Sequence, residues 1–424
     1  MTQVRPLRAY AEVALGRQRS PQHADGPHMT PYLRAANVND GFLDLDDVGE
    51  MNFDPKEQET FALKRGDVLV TEGSGSLSAV GASAVWMTDI EGTVCFQNTL
   101  LRLRSRPSTD GRFLAWWCRH AFADGLFAGI ATGANIFHIS AERVRSLPMT
   151  YIPMAEQRAI ADYLDAETTR IDALITKKRR MIELLVEKVD SQIFSAVSGT
   201  VTSPASSRQG TQIPWLDTIP SHWDSPWLGA THSTQLGKML SASAASGPEQ
   251  HRYVKNTNVQ WDRLDLTDLP TMTFDANDRA RCSLEKGDLL VCEGGEVGRA
   301  AVWPGTQTDV YFQKAIHRVR PIGDAEPRYT MYAFWAAAKM NVFAVEGNQA
   351  TIVHLTGEKL REHRFPWPPI EEQREIVRQL DATRKKIGAT TSQLNQQIDL
   401  LNERRQALIT AAVTGELEIL GVAA

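Results

Sequence analysis

The chain has 424 residues, too many for one typical core and enough for two to four domains. Hydrophobic residues make up 42% and charged residues 23%, a balance that supports ordinary cores and argues against wholesale disorder. The net charge of −5 and pI of about 6.1 speak against a protein that coats nucleic acid by bulk charge, but leave room for a local basic groove.

No apolar run approaches the roughly 20 residues that a bilayer span needs. The first residues, Met1–Pro6, carry no apolar signal core, so a cytoplasmic location is expected. Cys95, Cys118, Cys282 and Cys292 form no CxxC pair, and no His lies at zinc-ligand spacing. Reduced, buried thiols are expected rather than a metal site or a disulfide framework.

In chain order, the first zone, 1–152, is rich in aromatics, β-branched residues and Gly. Lys64–Thr71 reads as a Gly-Asp turn feeding a buried strand, and Arg112–Ala123 as an aromatic-rich helix. The zone 153–199 opens on Pro153 and runs with almost no Gly. Ile160, Leu164, Ile171, Ile175, Ile182, Leu185, Val189, Ile193 and Val197 form one stripe at spacings of three, four and seven, the mark of a long amphipathic helix. Gly199 stands at the C-cap position, and about 1.5 Å per residue makes the helix roughly 65 Å long, a spacer rather than a core element. Residues 200–213, Ser/Thr-rich with Pro204 and Gly210, read as a flexible linker.

The chain then repeats itself. Zone 214–368 matches the first zone, with Lys286–Cys292 as the buried strand and Arg328–Lys339 as the aromatic helix. Zone 369–415 is the second long helix, carrying Ile376, Leu380, Ile387, Ile398, Leu401, Ile409 and Val413 but Thr391 and Arg405 where the first has Ile175 and Val189. A tail, 416–424, follows. Glu156-Gln157-Arg158 recurs as Glu372-Gln373-Arg374, 216 positions later, as Phe96-Gln97 recurs as Phe312-Gln313 and Arg102 and Arg104 as Arg318 and Arg320. Earlier pairs, such as Leu15-Gly16-Arg17 with Leu236-Gly237-Lys238 and Gly66-Asp67 with Gly287-Asp288, are 221 apart. Five extra residues therefore lie between Gly73 and Phe96 in the first copy. A period this long means a duplicated domain.

No catalytic constellation holds together. Gly237-Lys238 is followed by Met239, so there is no P-loop; Gly294-Gly295-Glu296-Val297-Gly298 lacks dinucleotide-binding spacing; Asp67…Glu72 and Asp288…Glu293 lack the Lys of a metal nuclease.

The pattern resembles the specificity subunit of type I restriction-modification systems. The resemblance rests on the Gly-Asp strand and Gly-rich turn, on Pro153–Ile160 and Pro369–Ile376 as doubled Pro-x-x-Glu-Gln helix starts, and on Ile219-Pro220-Ser221-His222-Trp223 opening the second half. The first half lacks that last motif, which leaves the packing of its N-terminus open.

The resemblance implies an α+β fold. Two tandem target recognition domains, 1–152 and 214–368, are each followed by a helical spacer, 153–199 and 369–415, and the spacers pack as an antiparallel coiled coil. It implies no catalysis in the chain itself. The expected partners are double-stranded DNA read as a bipartite asymmetric target, two modification subunits that methylate adenine, and translocating restriction subunits. S-adenosylmethionine, ATP and Mg are expected on those partners, and no membrane is involved. The competing reading is a coiled-coil scaffold with two protein- or ligand-binding domains.

Candidate DNA contacts follow from residue type and place. Arg17 and Lys238 suit phosphate. Ser74, Ser76 and Arg299 lie in the Gly-rich turns, where Arg299 suits a guanine edge, and Lys314 is a further candidate contact. Asn135 and His138, with Asn348, Gln349, Thr351 and His354, lie ahead of the long helices, where Asn and Gln suit adenine. The match of His138 with His354 points to shared structure or backbone contact. Lys177, Lys178 and Arg179 belong to the strongest basic run, weighed against a plain solvated helix face. Glu156, Gln157, Glu372 and Gln373 suit helix N-termini, and partner docking there is implied by the resemblance.

Overall fold

The duplicated sequence builds one architecture twice. The computed structural model describes residues 3–87, 90–200, 207–343 and 355–417. It divides into two compact units, Met1–Arg179 with Asn395–Ala424, and Arg180–Leu394. The units are not the two sequence halves, because each helical spacer is shared: a unit takes the start of one long helix and the end of the other.

In the first unit a four-stranded antiparallel sheet has the order Ala11–Leu15, Leu100–Ser105, Val68–Thr71, Ser83–Val85. A three-stranded sheet joins Cys95–Phe96, Met29–Leu33 and Gly49–Asn52, its first pair parallel. The second unit repeats both, with His232–Leu236, Ile316–Pro321, Leu289–Cys292 and Ala300–Val302 in one sheet, and Thr271–Thr273, Gln250–Val254 and Val310–Phe312 in the other. Val68, Leu69 and Val70, and Leu289–Cys292, are apolar because both faces of these central strands are covered. Val68 and Val70 face one core cluster and Leu69 another, as Leu289 and Val291 face one and Leu290 and Cys292 the other.

The repeated Gly-Asp has a structural cause. Asp67 is 1% exposed, accepts from the Lys64 amide and takes a two-pronged pair of hydrogen bonds from Arg104 at 2.7 Å each. Asp288 and Arg320 repeat the arrangement. The companions Arg102 and Arg318 donate to backbone carbonyls of Thr60, Ala62 and Ser283. The repeated Asn37 and Asn258 tie down the next loop through Asp44, Asp47 and Asp265 carbonyls.

Aromatic helices Gly111–Ala123 and Pro327–Lys339 start on Asp110 and Glu326, whose carboxylates accept from the first-turn amides. They bury Phe113, Trp117, Tyr329 and Phe334 against the large sheets. The long helices run Met154–Val197 and Ile370–Thr414, and Gly199 and Gly415 follow them with φ of 65° and 81°, left-handed as a C-cap glycine requires.

Within each unit the helix segments pack antiparallel. In the first, Ile160 and Leu164 share a core with Ile409 and Val413, while Asp172 pairs with Arg405 at 2.7 Å and Lys178 donates to Gln397. In the second, Ile193 and Val197 share a core with Ile376 and Leu380. Arg405, where the stripe departs from apolar character, is thus an ion-pair partner. Burial of the stripe is uneven. Ile160, Leu164, Ile171, Ile175, Ile193 and Val197 are buried, but Ile182, Leu185, Val189, Ile387 and Leu401 are half-buried.

The structure corrects two expectations. Residues 208–213, read as flexible linker, are a strand: Arg208–Ile213 pairs with Leu216–Pro220, and Arg208 donates to the carbonyls of Ser198, Gly199 and Thr218. The first-half N-terminus is anchored without the Ile-Pro-x-x-Trp motif, by strand Val4–Pro6 pairing with Pro148–Thr150. The length step is also sharper: Ser83–Val85 corresponds to Ala300–Val302 at an offset of 217, so four of the five extra residues lie in the turn before Ser83.

Burial also creates an acid sensitivity. His232, 1% exposed, meets the hydroxyls of Thr231 and Thr330 and sits edge-on to Trp367. Burial pushes its pKa down to about 4 from the usual 6.5. The unfolded chain therefore binds this proton more readily than the folded one. Stability from this group is complete above pH 6.5 and falls as pH drops toward 4, by about 3 kcal/mol in total. Buried His120 and His317 are shifted in the same direction, burial again the first cause. Urea midpoints at pH 7.5, 5.5 and 4.5 should fall less steeply in His232→Gln than in the parent; parallel slopes would exclude this origin.

Candidate nucleic-acid interface

Three predicted contact cations point inward. Arg17, 6% exposed, pairs with Glu57 at 2.7 Å, donates to the Asn52 carbonyl and lies over the Phe53 ring. Lys238 repeats this with Asp278 and Phe274. The preceding glycines admit a crossing strand: a Cβ on Gly16 or Gly237 would come within 2.2–2.4 Å of the Gln97 or Gln313 backbone. Arg299 is folded back onto the Asn256 carbonyl at 3.2 Å and onto Glu296. A phosphate or guanine contact needs a free, accessible cation, so these three are corrected to internal braces.

Gln157 and Gln373 are corrected likewise. Both are 1% exposed. Gln157 accepts from the Asp110 amide and donates to the carbonyls of Ile152 and Ser108, and Gln373 accepts from the Glu326 amide and donates to the Pro368 carbonyl. Their amides lock each long helix to the cap of the aromatic helix and are unavailable to a partner. Glu156 is half-buried. Glu372 accepts from the Trp223 indole and meets His222, both at 2.7 Å, which explains the Ile-Pro-x-x-Trp motif of the second half.

The outward candidates gather at one end of the first unit's sheet. Strand Gly73–Ser74 pairs with Phe137–His138, and the Thr132 and His138 backbones close the intervening loop. This brings Ser74, exposed Ser76, exposed Asn135 and half-exposed His138 together. His138 Nδ1 lies 3.0 Å from Glu72. Exposed Leu77 and Ile136 belong to the same loops.

In the second unit Lys314 is exposed on the turn next to Glu293, whose amide donates to the Ala315 carbonyl. Leu355 donates to the Glu293 carbonyl as Ile139 does to that of Glu72, so the loop ends match. Asn348, Gln349, Thr351 and His354 lie outside the described residues. Lys177 and Arg179 are exposed on the first long helix, and Lys178 is half-buried on Gln397.

Among the described residues no His, Cys, Asp or Glu group could hold a metal ion. All four cysteines are buried, and burial pushes the thiols of Cys95 and Cys292 up to about 12 and 11, far from a reactive thiolate. Among the described residues no helix is long and apolar enough to cross a membrane.

Comparison with known proteins agrees with this architecture. Residues 262–400 match the family described as type I restriction modification DNA specificity domain. The chain is 24% identical over 402 residues to the type I restriction enzyme EcoKI specificity subunit of Escherichia coli K12, covering 91% of this chain and 82% of that protein. A solved chain described under "Structural basis underlying complex assembly and conformational transition of the type I R-M system" superposes with a TM-score of 0.68, at 17% identity, over 98% of both chains. The HsdS subunit from Thermoanaerobacter tengcongensis superposes with a TM-score of 0.55, at 17% identity, over 98% of this chain and 97% of that one. With its doubled sheets and its doubled glutamine clamp, the chain is similar over most of its length to type I restriction-modification specificity subunits, and residues 262–400 match the DNA specificity domain of that family.

Proposed function

We propose that this chain is the DNA-sequence-specificity subunit of a type I restriction-modification complex, and that each unit reads one half of an asymmetric bipartite target. The observation that carries this reading is the division of labour between the copies. The parts that hold sheet to helix (Gln157 and Gln373, Asp67 and Asp288) recur, while the exposed turn before Ser83 differs in length and residues from its counterpart. Unlike half-sites require unlike loops; like partner contacts require like frames.

In this reading the chain performs no chemistry. Two modification subunits dock near the long-helix starts and supply S-adenosylmethionine and adenine methylation, and restriction subunits supply ATP- and Mg-dependent translocation. Helices of 44 and 45 residues, about 66 Å at 1.5 Å per residue, set how many base pairs go unread between the half-sites. The acidic pI is compatible with DNA binding when partners contribute phosphate contacts.

The test is methylome sequencing of a methylation-free host expressing this chain with its cognate modification subunit, together with salt titration of complex binding. A discontinuous adenine-methylated motif is expected, with affinity falling steeply as salt rises. No discontinuous motif, or binding indifferent to salt, would defeat the reading.

A further inference from the structure

We infer that His138 is a specificity-determining residue of the first unit, presenting an unprotonated Nε2 that accepts a hydrogen bond from the exocyclic amino group of an adenine or cytosine in the major groove. The inference rests on the DNA-reading function proposed above, and adds to it which atom reads and what chemistry it reads.

The ring is held in one orientation. Its backbone is fixed by pairing of Phe137–His138 with Gly73–Ser74, and by exchange of amide and carbonyl with Thr132. The neighbouring Ile139 amide donates to the Glu72 carbonyl at 2.9 Å, which sets Glu72 and His138 side by side. The Glu72 carboxylate, 15% exposed, lies 3.0 Å from Nδ1. Space for the imidazole exists because residue 73 is glycine: a Cβ there would stand 2.8 Å from Nδ1.

A neutral imidazole has one N–H, and a carboxylate accepts but cannot donate. Glu72 therefore places that proton on Nδ1 and leaves a lone pair on Nε2. The imidazole is 51% exposed, and Nε2 has no hydrogen-bond partner among the described residues. This chemistry narrows the possible contacts. Phosphates and deoxyriboses within a duplex offer only acceptors, so an acceptor nitrogen makes no hydrogen bond to the DNA backbone. The donors on DNA are the base amino groups, and those in the major groove are adenine N6 and cytosine N4. The backbone-contact role suggested by the match of His138 with His354 is thus disfavoured for the neutral ring. Glu72 acts as a positioning residue, because it sets which nitrogen carries the proton.

The test uses the complex of this chain with its modification subunits, on duplexes carrying the motif found by methylome sequencing. At each adenine or cytosine of the first half-site other than the methylated base, the amino group is deleted by purine or 2-pyrimidinone substitution. At adenines, 7-deaza substitution instead removes the N7 acceptor. At one position the parent should lose roughly tenfold or more in affinity on amino deletion and little on 7-deaza substitution.

His138→Ala should be indifferent to amino deletion at that position and relaxed there in its methylome, with the second half-site unchanged. His138→Gln, which keeps an acceptor oxygen, should retain part of the preference. Glu72→Leu, which frees the tautomer, should relax the position while leaving the thermal midpoint near that of the parent. The inference is overturned if His138→Ala, with unchanged midpoint, keeps the parent motif and its sensitivity to amino deletion. It is also overturned if the sensitivity coupled to His138 tracks N7 rather than the amino group. A parent complex that methylates no bipartite motif would instead defeat the underlying function, a different and separately visible result.

Discussion

Asp67→Ala should lower the stability of the first unit by about 3–5 kcal/mol, read as a shift in urea unfolding. The carboxylate is 1% exposed and satisfies three donors: the Lys64 amide and two guanidinium nitrogens of Arg104. Truncation leaves a largely buried positive charge and an orphaned amide. The net value of the pair is far smaller than the cost of breaking it, since two buried charges give back much of their attraction as lost hydration. The double variant Asp67→Leu/Arg104→Met should therefore regain most of the loss. Asp288→Ala should do the same to the second unit, through Arg320. A loss under 1 kcal/mol for Asp67→Ala would show that water, not protein, satisfies Arg104.

Replacing residues 4–150 with the corresponding 225–366 should yield a chain that reads two identical half-sites. The graft is structurally closed. Val4 pairs with Thr150 and Pro6 with Pro148, so both ends of the exchanged segment lie side by side. The second copy meets its own frame in the same way, with Asp224 opposite Trp367 and Trp227 opposite Arg364. Methylome sequencing should return a motif whose first half has become a repeat of the second, with the second half untouched. Exchange of 1–150 for an unrelated front domain should likewise alter one half alone. Change in both halves would refute modular reading.

Much of the architecture was legible from periodicity and duplication. The long helices lie within a residue or two of 153–199 and 369–415 because proline, an unbroken apolar stripe and a C-cap glycine leave little freedom. The strands Val68–Thr71 and Leu289–Cys292 were legible because both faces are covered and the run is almost wholly apolar. The site was far less legible. Arg17, Lys238 and Arg299 looked like DNA ligands because sequence shows charge but not direction, and their acids, Glu57, Asp278 and Glu296, come from separate short elements or an adjacent turn. Gln157 and Gln373 looked like partner contacts because recurrence alone does not separate a buried clamp from an exposed surface. The linker misreading has the same root: Arg208–Ile213 becomes a strand only through Leu216–Pro220 and the carbonyls that Arg208 reaches.

The glutamine clamp has a consequence for how such a chain diversifies. Every group that Gln157 and Gln373 grip (the Asp110 and Glu326 amides, the Ser108, Ile152 and Pro368 carbonyls) is a main-chain atom. A socket that holds only peptide groups is blind to side-chain identity. A foreign front domain need only form the same cap turn to be seated, with no compensating change in the helix. Recombination at this joint can thus deliver new sequence preferences in one step, leaving the assembly that carries them unaltered.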